Sequence, residues 1–68
     1  MTYVLKQEDD GLIYIYRHGV RHSRFGVKPP ANEDERKVLE AVPALLNKEK
    51  MPEPLMLAAY SLYLHHLW

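Results

Sequence analysis

The chain contains no cysteine among its 68 residues, which excludes both disulfide bonds and zinc sites built on thiolate ligands. A domain of this size buries only about 60% of the surface that its unfolded chain exposes, so we expect its stability to be marginal without additional stabilisation. Without a disulfide or a thiolate–metal site, the expected source of that stabilisation is association with a larger protein or with a second copy of the chain.

Net charge is lacking too. Nine basic and nine acidic residues balance to a formal charge of zero, so bulk electrostatics favour neither nucleic acid nor an acidic membrane as a partner. The apolar segment 55–68 would be about 21 Å long as a helix, against a hydrocarbon core of roughly 30 Å. We therefore predict no membrane partner. The N-terminal residues also lack a signal-peptide pattern. Because a chain without cysteine is compatible with a reducing compartment, we predict a cytoplasmic location.

Motifs for catalysis or cofactor binding are also missing. The histidines have neither the helical i,i+4 spacing nor the cysteine partner that is typical of a zinc site, and the adjacent His65 and His66 point in different directions on a helix. Neither serine lies in a nucleophile motif, and a chain this short is not expected to build a pocket of several hundred Å³. We predict a non-enzymatic protein with no metal, no cofactor and no catalytic residue.

The first 28 residues have the pattern of an antiparallel β-meander, with strand-forming segments at 3–7, 12–17 and 20–25. The Asp-Asp-Gly sequence at 9–11 fits a three-residue hairpin loop with its glycine in the left-handed conformation. That loop pairs Leu5 with Ile15. The His-Gly pair at 18–19 predicts a second, two-residue turn.

Alternation along these strands assigns the side chains to two faces of the sheet. One face would carry Ile13, Ile15, His22 and Arg24. The other would carry Leu12, Tyr14, Tyr16, Arg21, Ser23 and Phe25. Since segment 12–17 then has apolar residues on both faces, we predict that it is the central strand.

A first helix is predicted over 32–47. Two consecutive prolines end the sheet before it, and Asn32 has the position of an N-cap with Glu35 three residues later. Val38, Leu39 and the apolar residues that follow at helical spacing form one amphipathic side. Pro43 lies inside this helix and is expected to kink or break it near 41–42.

The second predicted helix, 53–68, is apolar on nearly all sides, which is unusual for a surface helix. Its three apolar stripes are Leu55-Ala59-Leu62, Met56-Tyr60-Tyr63-Leu67 and Leu57-Leu64-Trp68. If the sheet and the first helix cover only one or two of them, the remainder is exposed and marks a protein interface, with Tyr60, Tyr63 and Trp68 as anchors. The alternative is that all three stripes are core.

A local basic strip interrupts this neutral chain, since every ionisable residue from 17 to 28 is basic or a histidine. Arg17, Arg21 and Arg24, interleaved with Tyr14 and Tyr16, could present guanidinium groups and aromatic faces to single-stranded nucleic acid or to a DNA groove. The simpler interpretation is a solvated sheet face.

These patterns predict one α+β domain, 1–68, in which a three-stranded meander (1–28) is followed by two helices packed on one sheet face. We predict a protein-binding module. Its size class is typical of phage or mobile-element inhibitors that occlude host machinery, as anti-CRISPR proteins do, so the expected partner is a larger host protein or complex. A homodimer through the C-terminal helix is compatible with this, and nucleic-acid binding by the basic sheet face is the alternative. The predicted partner-binding residues are Tyr14, Tyr16, Arg17, Arg21, Arg24, Tyr60, Tyr63 and Trp68.

Overall fold

The computed structural model describes residues 2–68, so Met1 of the predicted domain lies outside the described residues. The elements in chain order are β1 (Tyr3–Gln7), β2 (Ile13–Arg17), β3 (Val20–Arg21), α1 (Glu33–Leu46), α2 (Glu53–Leu62) and a π-helical turn (Tyr63–Leu67). The strands form one antiparallel sheet in the order β1-β2-β3. The predicted α+β architecture, a meander with β2 in the centre followed by two helices, is confirmed.

The first hairpin has the predicted register, with Leu5 paired to Ile15. Gly11 has a φ of 83°, in the left-handed region. Its N–H donates to the Glu8 carbonyl at 2.9 Å, and the Glu8 N–H donates to the Leu12 carbonyl at 2.9 Å. Together these two hydrogen bonds close a three-residue loop with a bulge at the glycine.

The second hairpin also turns as predicted, through two residues. His18 and Gly19 both have positive φ, 55° and 74°, and Arg17 pairs with Val20 across the turn. Positive φ at both central positions is the conformation that matches the twist of a two-residue hairpin.

The third strand is much shorter than the predicted 20–25, because a side chain replaces the ladder after Arg21. The hydroxyl of Ser23 accepts a hydrogen bond from the Ile15 N–H at 3.1 Å, and the His22 N–H donates to the Ile15 carbonyl at 2.7 Å. The chain then leaves the sheet and returns to it at a single bridge between Val27 and Ile13. The predicted strand length was therefore wrong, although β2 keeps hydrogen-bond partners along this edge.

Helix α1 begins at the predicted cap, where the Asn32 side chain accepts a hydrogen bond from the Glu35 N–H at 2.9 Å. The helix runs without interruption from Glu33 to Leu46, so of the two predicted effects of Pro43 the break does not occur, and the kink stays a prediction. A proline here removes one hydrogen bond near the end of the helix. The burial of Val42 beside it offsets that loss, since Val42 has no solvent-exposed surface.

Both helices pack on one face of the sheet. The core there contains the buried Ile15, Ala41, Val42, Ala59 and Leu67. The side-chain amide of Asn47, the C-cap of α1, attaches this end of the helix to the edge of β1. It accepts a hydrogen bond from the Tyr3 N–H at 2.7 Å and donates one to the Tyr3 carbonyl at 3.2 Å.

Within residues 2–68, no helix is long and apolar enough to cross a membrane.

Candidate interaction surface

One side of the C-terminal helical segment is exposed and apolar. Leu57 is 60% exposed, Tyr60 50%, Leu64 51% and Trp68 44%. Their spacing of three, four and four residues places them along one side of a helix. We call these four residues the C-terminal face.

The exposure of this face follows from how little chain there is to cover it. The stripe that contains Leu55, Ala59 and Leu62 packs on the core, where the sheet and α1 already meet. In the stripe that contains Leu57, Leu64 and Trp68, the two leucines are more than half exposed, whereas Trp68 lies against the sheet with one part of its ring system still exposed. The sequence left two alternatives for this segment, one with an exposed stripe and one with all three stripes in the core. The structure shows an exposed stripe.

The π-helical turn fixes the end of this face. Leu67 is fully buried, and its carbonyl accepts a hydrogen bond from the Phe25 N–H at 3.1 Å. The Trp68 N–H donates to the Tyr63 carbonyl, five residues back, at 2.8 Å. Such wide turns are rare and are found frequently at functional sites. This turn was not predicted, since 53–68 was expected to be α-helical to its end.

An aromatic cluster lies where the C-terminal segment meets the sheet, and it consists of Tyr3, His22, Tyr63 and Trp68. The His22 ring stacks on the Trp68 ring with centroids 5.4 Å apart, and the Tyr3 ring meets His22 edge-on at 5.0 Å. The Nε2 atom of His22 lies 2.9 Å from the Tyr63 hydroxyl, within hydrogen-bonding distance. Partial burial raises the pKa of Tyr63, which keeps that hydroxyl neutral.

Two arginines border the aromatic cluster. The guanidinium carbon of Arg17 lies 5.1 Å from the centre of the Tyr3 ring, and that of Arg24 lies 5.0 Å from the centre of the Trp68 ring. Both distances are in the range of cation–π attraction. A continuous series of ring contacts therefore connects the two cations.

The opposite face of the sheet carries three more predicted partner-binding residues, Tyr14, Tyr16 and Arg21. They are joined to the first hairpin loop, since Tyr16 and Arg21 both donate hydrogen bonds to the Glu8 carboxylate. The Tyr14 hydroxyl donates to the Asp10 carboxylate at 2.6 Å. We call these five residues the outer network.

Within the outer network, Tyr14 has little surface left for a partner, whereas the Arg21 side chain is 45% exposed. Tyr14 is only 7% exposed, because Arg21 lies 4.1 Å above its ring and Gly26 passes so close that a Cβ there would be 2.7 Å from the ring. The Arg21 hydrogen bond, followed by that of Tyr16, holds the pKa of Glu8 below its usual value of 4.5. Glu8 is thus ionised and offsets the charge of Arg21.

The basic strip does not form one surface. Arg21 lies in the outer network, whereas Arg17 and Arg24 lie at the aromatic cluster with Tyr63 and Trp68. Tyr60 belongs to the C-terminal face. The structure therefore divides the predicted partner-binding residues between two faces of the molecule.

Tyr3 and His22 are members of the aromatic cluster that sequence reasoning missed. A signal was present, because the predicted alternation places His22 on the face of Ile15, and the hairpin register brings Tyr3 opposite Arg17 on that same face. Extending the register to residue 3 would have predicted part of the cluster.

A groove of about 720 Å³ lies between the segment 26–30, helix α1 and the C-terminal helical segment. The expectation that this chain builds no pocket of several hundred Å³ is therefore wrong. The groove is lined by Gly26, Val27, Lys28, Pro30, Asp34, Glu35, Val38, Leu39, Leu62 and His66. Within residues 2–68, no three histidine, aspartate or glutamate side chains converge to hold a metal ion.

Comparison of the chain with protein-family models, with curated proteins and with solved structures finds no match.

Proposed function

We propose that this protein is a non-enzymatic binding module and that the C-terminal face is its contact surface for a different, larger protein. The observation that carries the proposal is the row of four large apolar side chains, each between 44% and 60% exposed, along one side of a single helical segment. Monomeric proteins seldom expose contiguous apolar patches beyond a few hundred Å² unless the patch serves an interaction.

The residue types of the face support the same proposal. Tyrosine and tryptophan are enriched at the centres of interfaces and among the residues that contribute most binding energy. Leu57 and Leu64 lie two turns apart on the same side of the helix, with Tyr60 between them. This spacing is typical of helices that insert their apolar side into a hydrophobic groove of a partner.

The rigid attachment of the segment also favours binding. Leu67 and Ala59 are fully buried on its opposite side, so the exposed side chains are presented from a fixed helix. A preorganised surface loses less conformational entropy on association than a flexible one.

Two narrower expectations stay predictions. The first is that the protein acts in the cytoplasm and inhibits host machinery by occluding it, which identification of the partner would test. Nucleic-acid binding by the sheet also stays a prediction, and the separation of Arg21 from Arg17 and Arg24 does not favour it.

Affinity capture from a host lysate tests the proposal, with the full chain immobilised as the bait. A bait that carries Leu57→Ser and Leu64→Ser should lose the partner that the unaltered bait retains, because it removes the apolar contact without changing the charge. The matched control carries Val4→Ser and Val20→Ser. These valines are 49% and 67% exposed but lie on strands.

Quantitative mass spectrometry of the captured proteins gives the readout. The proposal predicts at least one protein that both the unaltered bait and the valine control retain and that the leucine variant loses. Capture that is equally strong with all three baits, or lost only with the valine control, would contradict it.

A further inference from the structure

Arg17 and Arg24 differ from the other two arginines of the chain in having no carboxylate partner within residues 2–68. Arg21 forms an ion pair with Glu8, and Arg36 forms ion pairs with glutamates one helical turn before and after it. The charges of Arg21 and Arg36 are thus compensated by carboxylates within the fold. Arg17 and Arg24 lie on the exposed surface without such a carboxylate.

The unpaired arginines are nevertheless held in place. Each guanidinium lies over an aromatic ring, and Arg17 also donates from Nη1 to the Tyr3 hydroxyl at 3.2 Å. A guanidinium has five N–H donors in a planar fork that fits a carboxylate bidentately. A fork that already rests on a ring loses less rotamer freedom when it binds one.

Their position connects them to the C-terminal face. Arg24 lies over Trp68, which is a member of that face, and Arg17 is connected to Trp68 through Tyr3 and His22. The basic end of the face is thus at Trp68. At its other end the first turn of α2 contains an acidic residue, Glu53.

We infer that the partner is an acidic protein segment, one that presents carboxylates beside an apolar strip, so that its acids contact Arg17 and Arg24 while its apolar side chains cover Leu57 and Leu64. The inference rests on the proposed function and adds the charge and orientation of the partner. Two unpaired cations at the edge of an apolar area match the common arrangement of interfaces, an apolar centre with a polar rim.

A protein segment fits this surface better than nucleic acid does. Nucleic-acid interfaces are strongly positive and polar, and their affinity comes mainly from several phosphate contacts. Here the net charge of the chain is zero, and the two exposed leucines of the face have no counterpart on a phosphodiester backbone.

Fluorescence titration tests the inference, because Trp68 is the single tryptophan of the chain and reports directly on the site. The probes are two amphipathic helical peptides with the same leucine positions and no tryptophan, one with glutamates on its polar side and one with lysines. We expect the glutamate peptide to bind about tenfold more tightly than the lysine peptide.

The variants Arg17→Gln and Arg24→Gln should each weaken binding of the glutamate peptide by about threefold to fivefold, as expected for exposed charge pairs. Arg36→Gln is the matched control, since Arg36 lies on α1 in its own ion pairs, and it should leave the affinity unchanged. Equal affinity for the two peptides, or no binding of the glutamate peptide, would overturn the inference.

Outcomes for the proposed function are separate from these. If both peptides bind equally and Leu57→Ser with Leu64→Ser abolishes that binding, the protein-binding face stands and only the acidic partner is excluded. An oligothymidylate that binds more tightly than the glutamate peptide would overturn the inference in favour of nucleic acid.

Discussion

At Ser23, a hydroxyl takes the place that a main-chain carbonyl would have in a longer third strand. The residue is 2% exposed, and its oxygen accepts the Ile15 N–H at 3.1 Å. Ile15 is itself fully buried at the centre of the core. Its N–H therefore depends on this side chain, because a buried donor without a partner is costly.

Ser23→Ala should lower the free energy of unfolding by about 1–3 kcal/mol, the cost of leaving a buried donor unpaired. Urea denaturation followed by circular dichroism measures it. Ser61→Ala is the control, since Ser61 is exposed on α2 and its loss should change stability by no more than about 0.5 kcal/mol. Equal stabilities for the two variants would contradict the role given to the Ser23 hydroxyl.

Individual residues also show why some features of the fold could be predicted from the sequence and others could not. The alternation of segment 20–25 is that of a strand, and nothing in the identity of Ser23 shows that it bonds to the main chain of Ile15. Gly26 is similar, because its close passage over Tyr14 is a tertiary contact. Turn residues were predictable, since the positive φ of Gly11 and Gly19 is a local requirement that glycine meets.

At the scale of elements, the first hairpin is held by the outer network rather than by its strands alone. Glu8, immediately before the loop, accepts hydrogen bonds from Arg21 of β3 and Tyr16 of β2. Asp10 accepts one from Tyr14, which likewise lowers the pKa of Asp10. Both carboxylates therefore stabilise the fold in their ionised form.

Lowering the pH should destabilise this hairpin. Because the folded pKa of Glu8 is below its usual value of 4.5, its contribution to stability is present above that pH and is lost as the pH falls through the lowered folded pKa. Thermal melts at a series of pH values should show Glu8→Gln with a flatter acid limb than the unaltered chain.

Glu49→Gln serves as the control for that series, since Glu49 is exposed just after α1 and takes no part in the outer network. It should keep the acid limb of the unaltered chain. Identical acid limbs for Glu8→Gln and the unaltered chain would contradict a stabilising role for the ionised Glu8 carboxylate.

The helices show a comparable division between what is local and what is not. The Asn32 cap was predictable because it needs only the side chain and the N–H three residues later. The uninterrupted helix through Pro43 and the π-helical turn before Trp68 were not, since both depend on burial of Val42 and Leu67 in a core that only the assembled elements create.

At the scale of the whole molecule, a three-stranded sheet and two helices bury one side of the C-terminal segment and leave the other uncovered. Sequence patterning identified this segment as excessively apolar, but not which stripe would be exposed, because that depends on how α1 and the sheet share its surface. The basic residues are likewise distributed by the fold, with Arg21 internally paired and Arg17 and Arg24 left at the aromatic cluster.

The central claim is that the C-terminal face is open in the isolated chain and is covered by a different protein. Light scattering of the purified chain across a tenfold concentration range tests this most directly. The account predicts the mass of a single chain at every concentration. A dimer that persists on dilution, and that Leu57→Ser with Leu64→Ser converts to monomer, would contradict it by showing that a second copy covers the face.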